Sequence, residues 1–291
     1  MQLTMNLHEN IQRESREFPV YTYFPKYGTI YQSLPPHWHD EVEIWYCKCD
    51  GICRLDDEHI EFKKGAIIIV NKKVVHSREM LSDGSVIAIL FDYKLLYFVQ
   101  EDICQMEMIR PLQMEDYYLT NVILPTHEIY DAVLRNVEEI IELNEVRAFG
   151  NHLRIKARLY DILAIFFENG AYEKYDLEDI RKKAKVRAIQ DSIVYMEEHL
   201  VENIAVEDLA EISKLSKFHY IRRFKDLTSY TPIQYLMNLR IEYAKVMLCE
   251  EQEMNIMEVA LAAGFNHMGY FVKIFKEYVL MTPSEYRKKN K

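Results

Sequence analysis

A chain of 291 residues, 49% hydrophobic and 28% charged, is sized for two globular domains and excludes wholesale disorder. Its net charge of −10 argues on its face against a nucleic-acid partner. Its 8 glycines, under half the usual share of about 7%, assemble no G-x-x-x-x-G-K-[ST], G-x-G-x-x-G or G-x-S-x-G. P-loop NTPases, dinucleotide binders and nucleophile-elbow hydrolases are therefore poor candidates.

No apolar run approaches the ~20 residues that span a bilayer, and no basic start with an apolar stretch marks a signal peptide. Five cysteines without paired spacing read as free thiols in a reducing cytoplasm. A cytoplasmic protein with no membrane partner is expected.

The first part of the chain reads as strands. Val42 to Cys49 precedes Asp50-Gly51, a favourable pair for a two-residue hairpin turn. Ile52 to Leu55, His59 to Phe62, Ala66 to Val70 and Ser85 to Asp92 follow, broken by Asp56-Asp57, Lys64-Gly65 and Asp83-Gly84. Many short strands at this spacing suggest a sandwich or barrel. Cys47 and Cys49 share a face and Cys53 falls on the next strand, which reads as core thiols rather than a zinc site.

His37, His39, Glu41 and Glu43 share parity, and His76 lies further on. The spacing His37-x-His39-x-x-x-Glu43, then Gly65 and His76, resembles the two motifs of the cupin superfamily, a small β-barrel. In metal-binding cupins the matching three histidines and glutamate hold a divalent metal. Two departures stand out: Asn71 occupies a position where proline is common, and no glycine precedes His76. His37, His39, Glu43 and His76 are thus expected to line a metabolite site, with metal ligation as the alternative. No cofactor is expected.

Thr126 to Asn144 carries Ile129, Val133, Val137, Ile140 and Ile141 at helical spacing, with Thr126 as expected N-cap and Glu128 in the first turn. Asn151 to Asn169 carries two apolar stripes, one through Leu153, Tyr160, Leu163 and Phe167, the other through Ile155, Leu159, Ile162 and Phe166. Two stripes imply burial on two sides, one of them against the first helix or a second protomer. The charged stretch from Tyr172 to Lys183 reads as a linker.

Charge is distributed unevenly. From residue 184 onward, 15 Lys+Arg balance 15 Asp+Glu, so the whole excess of negative charge lies earlier. Lys214, Lys217, Arg222, Arg223 and Lys225 cluster within twelve residues, and Arg287, Lys288, Lys289 and Lys291 close the chain.

This part contains a repeat. Leu209-Ala210 aligns with Val259-Ala260 at an offset of 50, whereas Phe224-Lys225, Thr231-Pro232 and Tyr235 align with Phe275-Lys276, Thr282-Pro283 and Tyr286 at 51. One extra residue therefore enters the second copy near its turn. Each copy reads as helix, tight turn, helix. Gly264 supplies the sharp turn of copy two. Ser216 and Asn266 are the expected N-caps of the second helices. Thr231-Pro232 with Gln234, and Thr282-Pro283 with Glu285, are capping boxes with proline at N1. Pro232 to Cys249 reads as a joining helix of about 27 Å.

A braced first helix, a fixed turn and a basic second helix are the parts of a helix-turn-helix DNA reader. Gly264 to Lys288 carries G-F, Y-F, F-K and T-P-x-x-Y-R elements in the order found in the AraC/XylS family of transcription regulators. Ala205 to Lys289 resembles that family's double helix-turn-helix, and the strand-rich start resembles its cupin-like sensor. The family usually has glycine where Ser229 and Leu280 stand, so those loops are expected to be shaped differently. Ala205 likewise replaces its common Ser or Thr cap.

The resemblance implies an α+β chain of two domains, with a cupin-like β-barrel and a helical dimerisation segment ahead of an all-α double helix-turn-helix. The expected boundaries are 1–125 for the sensor, 126–170 for the dimerisation segment, 171–183 for the linker and 184–291 for the DNA-binding domain. It implies a transcription regulator, an activator by preference, that is not an enzyme and answers to a small metabolite, a sugar by preference. Tyr21, Tyr23, Tyr31, Trp38, Trp45 and Tyr46 are compatible with stacking on a sugar. The alternative is a metal-dependent cupin enzyme fused to a DNA-binding module. Double-stranded DNA, RNA polymerase and a second copy of the chain are the implied partners. Lys214, Ser216, Lys217, Phe218, His219, Arg222 and Arg223 are expected at the first DNA surface, and Asn266, His267, Met268 and Lys273 at the second. Leu209, Ile212, Ile221, Phe224, Ile274 and Phe275 are expected in the core.

Overall fold

A computed structural model describes residues 7–9, 18–24, 33–146, 148–251 and 253–290. Tyr31 and Lys291 lie outside these described residues. The chain divides into two compact units, one formed by residues 9–180, the other by residues 181–291 with Leu7 and His8.

The first unit carries β1 (Val20–Tyr23), β2 (Ser33–His37), β3 (Val42–Cys47), β4 (Gly51–Leu55), β5 (Glu58–Phe62), β6 (Ile67–Val70), β7 (His76–Met80) and β8 (Val86–Phe91). A short α1 (Arg110–Gln113), β9 (Tyr117–Leu119) and β10 (Val122–Ile123) follow. The strands form a five-stranded sheet of order β1-β8-β3-β6-β10 and a four-stranded sheet of order β2-β7-β4-β5. The expected barrel is thus realised as two sheets, with no ladder closing them into one among the described residues.

The central strands are buried on both faces, and their alternation shows why. Trp45, Cys47, Ile68, Val70, Ala88 and Leu90 pack with Cys53, Leu55 and Phe62 of the other sheet. Val42, Ile44, Ile67, Ile69, Ile89 and Phe91 point the opposite way. They meet α2 (Tyr130–Glu145) through Val133, Val137 and Ile140, and α3 (Asn151–Glu168) through Ile155, Leu159, Ile162 and Phe166. Cys47, Cys49 and Cys53 are buried free thiols, as expected.

Two local expectations are corrected, and the expected linker, within which the two units divide, carries regular structure. Asp50-Gly51 is not a hairpin turn: β3 pairs with β6 and β8, and the chain crosses here to the other sheet. Gly51 serves close packing instead, since a Cβ there would lie 2.3 Å from the Phe62 ring. The two-residue turn is Asp56-Asp57, between the paired Leu55 and Glu58, with Asp56 at φ 50°. Thr126 does not cap α2. His127 N–H donates to Leu124 and Tyr130 N–H to His127, so separate turns delay the helix to Tyr130. Residues 171–183, expected as a linker, carry β11 (Tyr172–Lys174), paired with β9, and the first turns of α4 (Leu177–Glu198).

The second unit contains most of α4, then α5 (Val206–Ile212), α6 (Lys217–Thr228), α7 (Pro232–Glu250), α8 (Ile256–Ala262), α9 (Met268–Val279) and α10 (Pro283–Lys289). The capping boxes form at Thr231, Asn255 and Thr282, with Pro232 and Pro283 in the first turns. Ala205 lacks a capping oxygen, yet Asp208 accepts its N–H at 2.9 Å and completes half a box.

The two copies share an aromatic ladder. Phe224 meets Tyr235 edge-on at 5.8 Å, and Phe275 meets Tyr286 at 5.7 Å. Tyr220 and Phe271 occupy the matching rung, each 5.6 Å from the phenylalanine after it. The turns also match. Lys214 at φ 53° and Gly264 at φ 80° are equivalent left-handed residues, each with N–H bonded to the carbonyl three residues back. The extra residue of copy two therefore enters after Gly264. It moves the N-cap of α9 to His267, which makes no side-chain cap, so Asn266 is not the cap expected. Ser229 and Leu280 keep the left-handed cap, at φ 66° and 60°, so these loops are not reshaped as expected. Burying the ladder outweighs about 1 kcal/mol of strain at each.

Candidate functional site

In the first unit His37, His39, Glu43 and His76 come together at one end of the sandwich. They do not share one strand. His37 ends β2 and lies directly across from His76 on β7, with ring centroids 4.1 Å apart. His39 follows in the turn to β3, and Glu43 rises from the other sheet. Glu43 Oε2 is 3.3 Å from His39 Nε2 and 3.1 Å from His76 Nε2. Ligand atoms of the three histidines all lie within 4.8 Å of one another.

The second ring nitrogens fix the tautomers. Nδ1 of His37, His39 and His76 faces the carbonyls of Pro35, Glu41 and Val74 at 3.0, 3.1 and 2.9 Å. A carbonyl only accepts, so each Nδ1 carries a proton and donates it. In a neutral imidazole Nε2 is then a lone pair aimed inward. Burial lowers the His37 pKa to about 3, reinforced by His76, and keeps that ring neutral. Burial works against ionisation of Glu43, but facing His39 and His76 outweigh it and hold its carboxyl well below the usual range. A carboxylate facing two lone pairs repels them unless a proton or cation intervenes.

Asn71, where cupins often have proline, ties the sheet to β9, because its side-chain amide donates to Leu119 O and accepts from Leu119 N–H, at 2.9 and 3.0 Å. Of the aromatic residues considered for stacking, Trp45 and Trp38 are buried, whereas Tyr46 packs on the helix side with its hydroxyl 3.5 Å from Glu138. Two inward residues escaped the sequence reading, Trp45 as a polar donor and Arg78. Their signal was parity, two residues from Glu43 and from His76 respectively.

In the second unit all eleven proposed DNA contacts are exposed: Lys214, Ser216, Lys217, Phe218, His219, Arg222, Arg223, Asn266, His267, Met268 and Lys273. Phe218 is 72% exposed on α6, an uncommon position for a phenylalanine with no packing role. Leu209, Phe224 and Phe275 are buried, while Ile212, Ile221 and Ile274 are half-buried. Ser216 caps α6 by accepting the His219 N–H. Lys217 pairs with Glu207 at 2.6 Å, and Arg222 lies 3.9 Å from Asp226. Such exposed pairs are weak, so both cations remain available to an anionic partner. Arg287 belongs to the scaffold, because it donates to the carbonyls of Leu248 and Met254.

A sandwich carrying a polar cluster, encoded ahead of a doubled helix-turn-helix, defines a DNA-binding transcription regulator with a sensor domain. A family model for the AraC-like ligand binding domain matches residues 20–163, and one for a helix-turn-helix domain matches residues 209–289. The chain belongs to the AraC family of transcriptional regulators. It is 27% identical to the uncharacterized HTH-type transcriptional regulator YdeC of Bacillus subtilis, across 99% of this chain and 98% of that one. It is 38% identical to the MmsAB operon regulatory protein of Pseudomonas aeruginosa over 33% of this chain and 31% of that protein. Among solved structures, the DNA-binding domain of AdpA in complex with a target DNA matches at 29% identity and TM-score 0.34, covering 35% of this chain and 91% of that chain. Among the described residues no helix is long and apolar enough to cross a membrane.

Proposed function

We propose that this regulator is a cytoplasmic activator without catalytic activity, which binds an operator through both helix-turn-helix copies and answers to a small metabolite held by its sensor. Lys214, Ser216, Lys217, Phe218, His219, Arg222 and Arg223 form the first DNA surface, and Asn266, His267, Met268 and Lys273 the second. The observation that carries this reading is their shared exposure on two helices and the turns that lead into them, with the opposite helix faces locked by equivalent aromatic ladders. α2 and α3 carry a homodimer contact, and the DNA-bound dimer recruits RNA polymerase.

The effector site is built on His37, His39, Glu43 and His76, and the ligand that the family resemblance suggests is a sugar. His39→Ala is then expected to abolish the effector's influence on operator binding, read by titration at fixed salt. An undiminished response would remove the cluster from the site.

One observation favours a second occupant. Three histidines, each oriented by a backbone carbonyl and two of them facing Glu43, form a donor set suited to a divalent metal. His37, His39, Glu43 and His76 would hold it, and it would neutralise Glu43 and offer a position to an oxygen ligand. Metal analysis of freshly purified protein separates the readings. Stoichiometric metal lost in His39→Ala together with thermal stability supports the metal centre.

A further inference from the structure

Beyond the histidine cluster, the inner face of the sandwich holds two polar donors with nothing to donate to. Trp45 is 0% exposed, and its indole Nε1–H has no hydrogen-bond partner. Arg78 is two residues past His76 on β7, so it shares the inward parity. Its Cα pairs with that of buried Cys53. Its guanidinium stacks over the Trp45 ring, with Cζ 5.0 Å from the centroid. Nη1 of Arg78 is sealed from solvent and makes no hydrogen bond, and Arg78 forms no ion pair among the described residues. Its field opposes the burial that raises the thiols of Cys47, Cys49 and Cys53, which also places the charge inside the sheets.

Buried donors of this kind are almost always satisfied, and although Arg78 as a whole is half-buried, a charged Nη1 cut off from both water and an anion is costly. The acid on this inner face is engaged elsewhere, since Glu43 is held between His39 and His76. Trp45 and Arg78 offer donors only, so the missing group is an acceptor, and the unbalanced charge makes it an anion. We propose that the effector carries an oxyanion, a carboxylate or a phosphoryl group, bound by Arg78 Nη1 and Trp45 Nε1–H between the two sheets. This inference rests on the sensor reading above and names the class of its ligand. A neutral sugar would leave Arg78 without its anion, whereas a sugar acid or sugar phosphate would satisfy it.

The test uses the full chain and four probes at matched ionic strength or osmolarity: chloride, acetate, inorganic phosphate and glucose. Thermal midpoints are read for the parent and four variants. Acetate or phosphate is expected to raise the parent's midpoint by about 3 °C over chloride, saturably. Arg78→Met should abolish that rise while remaining at least as stable as the parent in chloride. Arg78→Lys, which keeps the charge but loses the planar fork, should retain part of it. Trp45→Phe should weaken the apparent anion affinity about tenfold. A rise with acetate alone assigns a carboxylate, and one with phosphate alone assigns a phosphoryl group. Equal rises in the parent and Arg78→Met would be a general salt effect and would overturn the inference. So would no rise with either anion, or Arg78→Met losing stability in chloride. A rise with glucose alone, lost in His39→Ala, would overturn the anion while leaving the sensor reading standing.

Discussion

The two helix-turn-helix copies have the same interior and different exteriors. Their aromatic rungs agree to 0.1 Å, their last helices start with the same threonine-proline box, and both α6 and α9 end on a strained left-handed residue. Outside, α6 and its turn present Lys214, Lys217, Arg222, Arg223 and Lys225, whereas α9 presents His267, Met268, Tyr270, Lys273 and Lys276. The turn differs as well, a lysine in one copy and a glycine in the other. The repeat thus holds constant what packs and varies what faces solvent. Two readers of equal frame are expected to contribute unequally to affinity, the first through phosphate contacts and the second through shape and fewer charges.

The largest effect should come from the turn itself. A Cβ on Gly264 would come within 2.9 Å of Arg240 Nε, Leu200 O and Val201 Cα, besides the strain of φ 80°. Gly264→Ala should therefore cost about 3 kcal/mol in urea unfolding. Lys214→Gly, at the equivalent position, should instead leave stability unchanged or raise it by up to about 1 kcal/mol. Equal losses in both variants would break the equivalence of the turns.

Next in size is the asymmetry of the surfaces. Arg222→Ala should weaken operator binding by about 1–3 kcal/mol if it reads a base, and Lys273→Ala by less than about 1 kcal/mol as a single phosphate contact. Titrations at fixed salt, with the fold checked by circular dichroism, measure both. A reversed order would make α9 the dominant reader. The smallest effect tests the shared strain: Ser229→Gly and Leu280→Gly should each stabilise by roughly 0.5–1 kcal/mol. A loss in either would mean that its side chain packs in a way the other does not.

The helical unit was legible because its signals are local. Caps, prolines and aromatic spacing lie within one or two turns of what they organise, so α5 to α10 could be placed by residue number. The one misplaced cap, Asn266, followed from an insertion whose existence was visible at the offset change but whose position depended on which residue goes left-handed. Strand existence was legible for β3 to β6 and β8, from short apolar runs bounded by turn residues, such as those at Val42, Ile67 and Val86, whereas β1, β2 and β7 were not placed. Partner choice was not, because Asp50-Gly51 looks like a turn whether the next strand pairs alongside or crosses to another sheet. The convergence of His37, His39, Glu43 and His76 came through only by resemblance, since shared parity fails at the turn after His37. Arg78 and the donor role of Trp45 were missed because a donor without a partner shows only when the surroundings are known.

A footprint of the full chain on an operator located by genome-wide mapping of bound sites tests the central claim most directly, namely that both copies read DNA. α7, 19 residues and about 28 Å long, joins the two readers. Two protected major-groove segments per protomer, about 10 bp between centres on one face of the duplex, are predicted. A single protected segment of about 4–5 bp would contradict the account and leave one copy as scaffold alone.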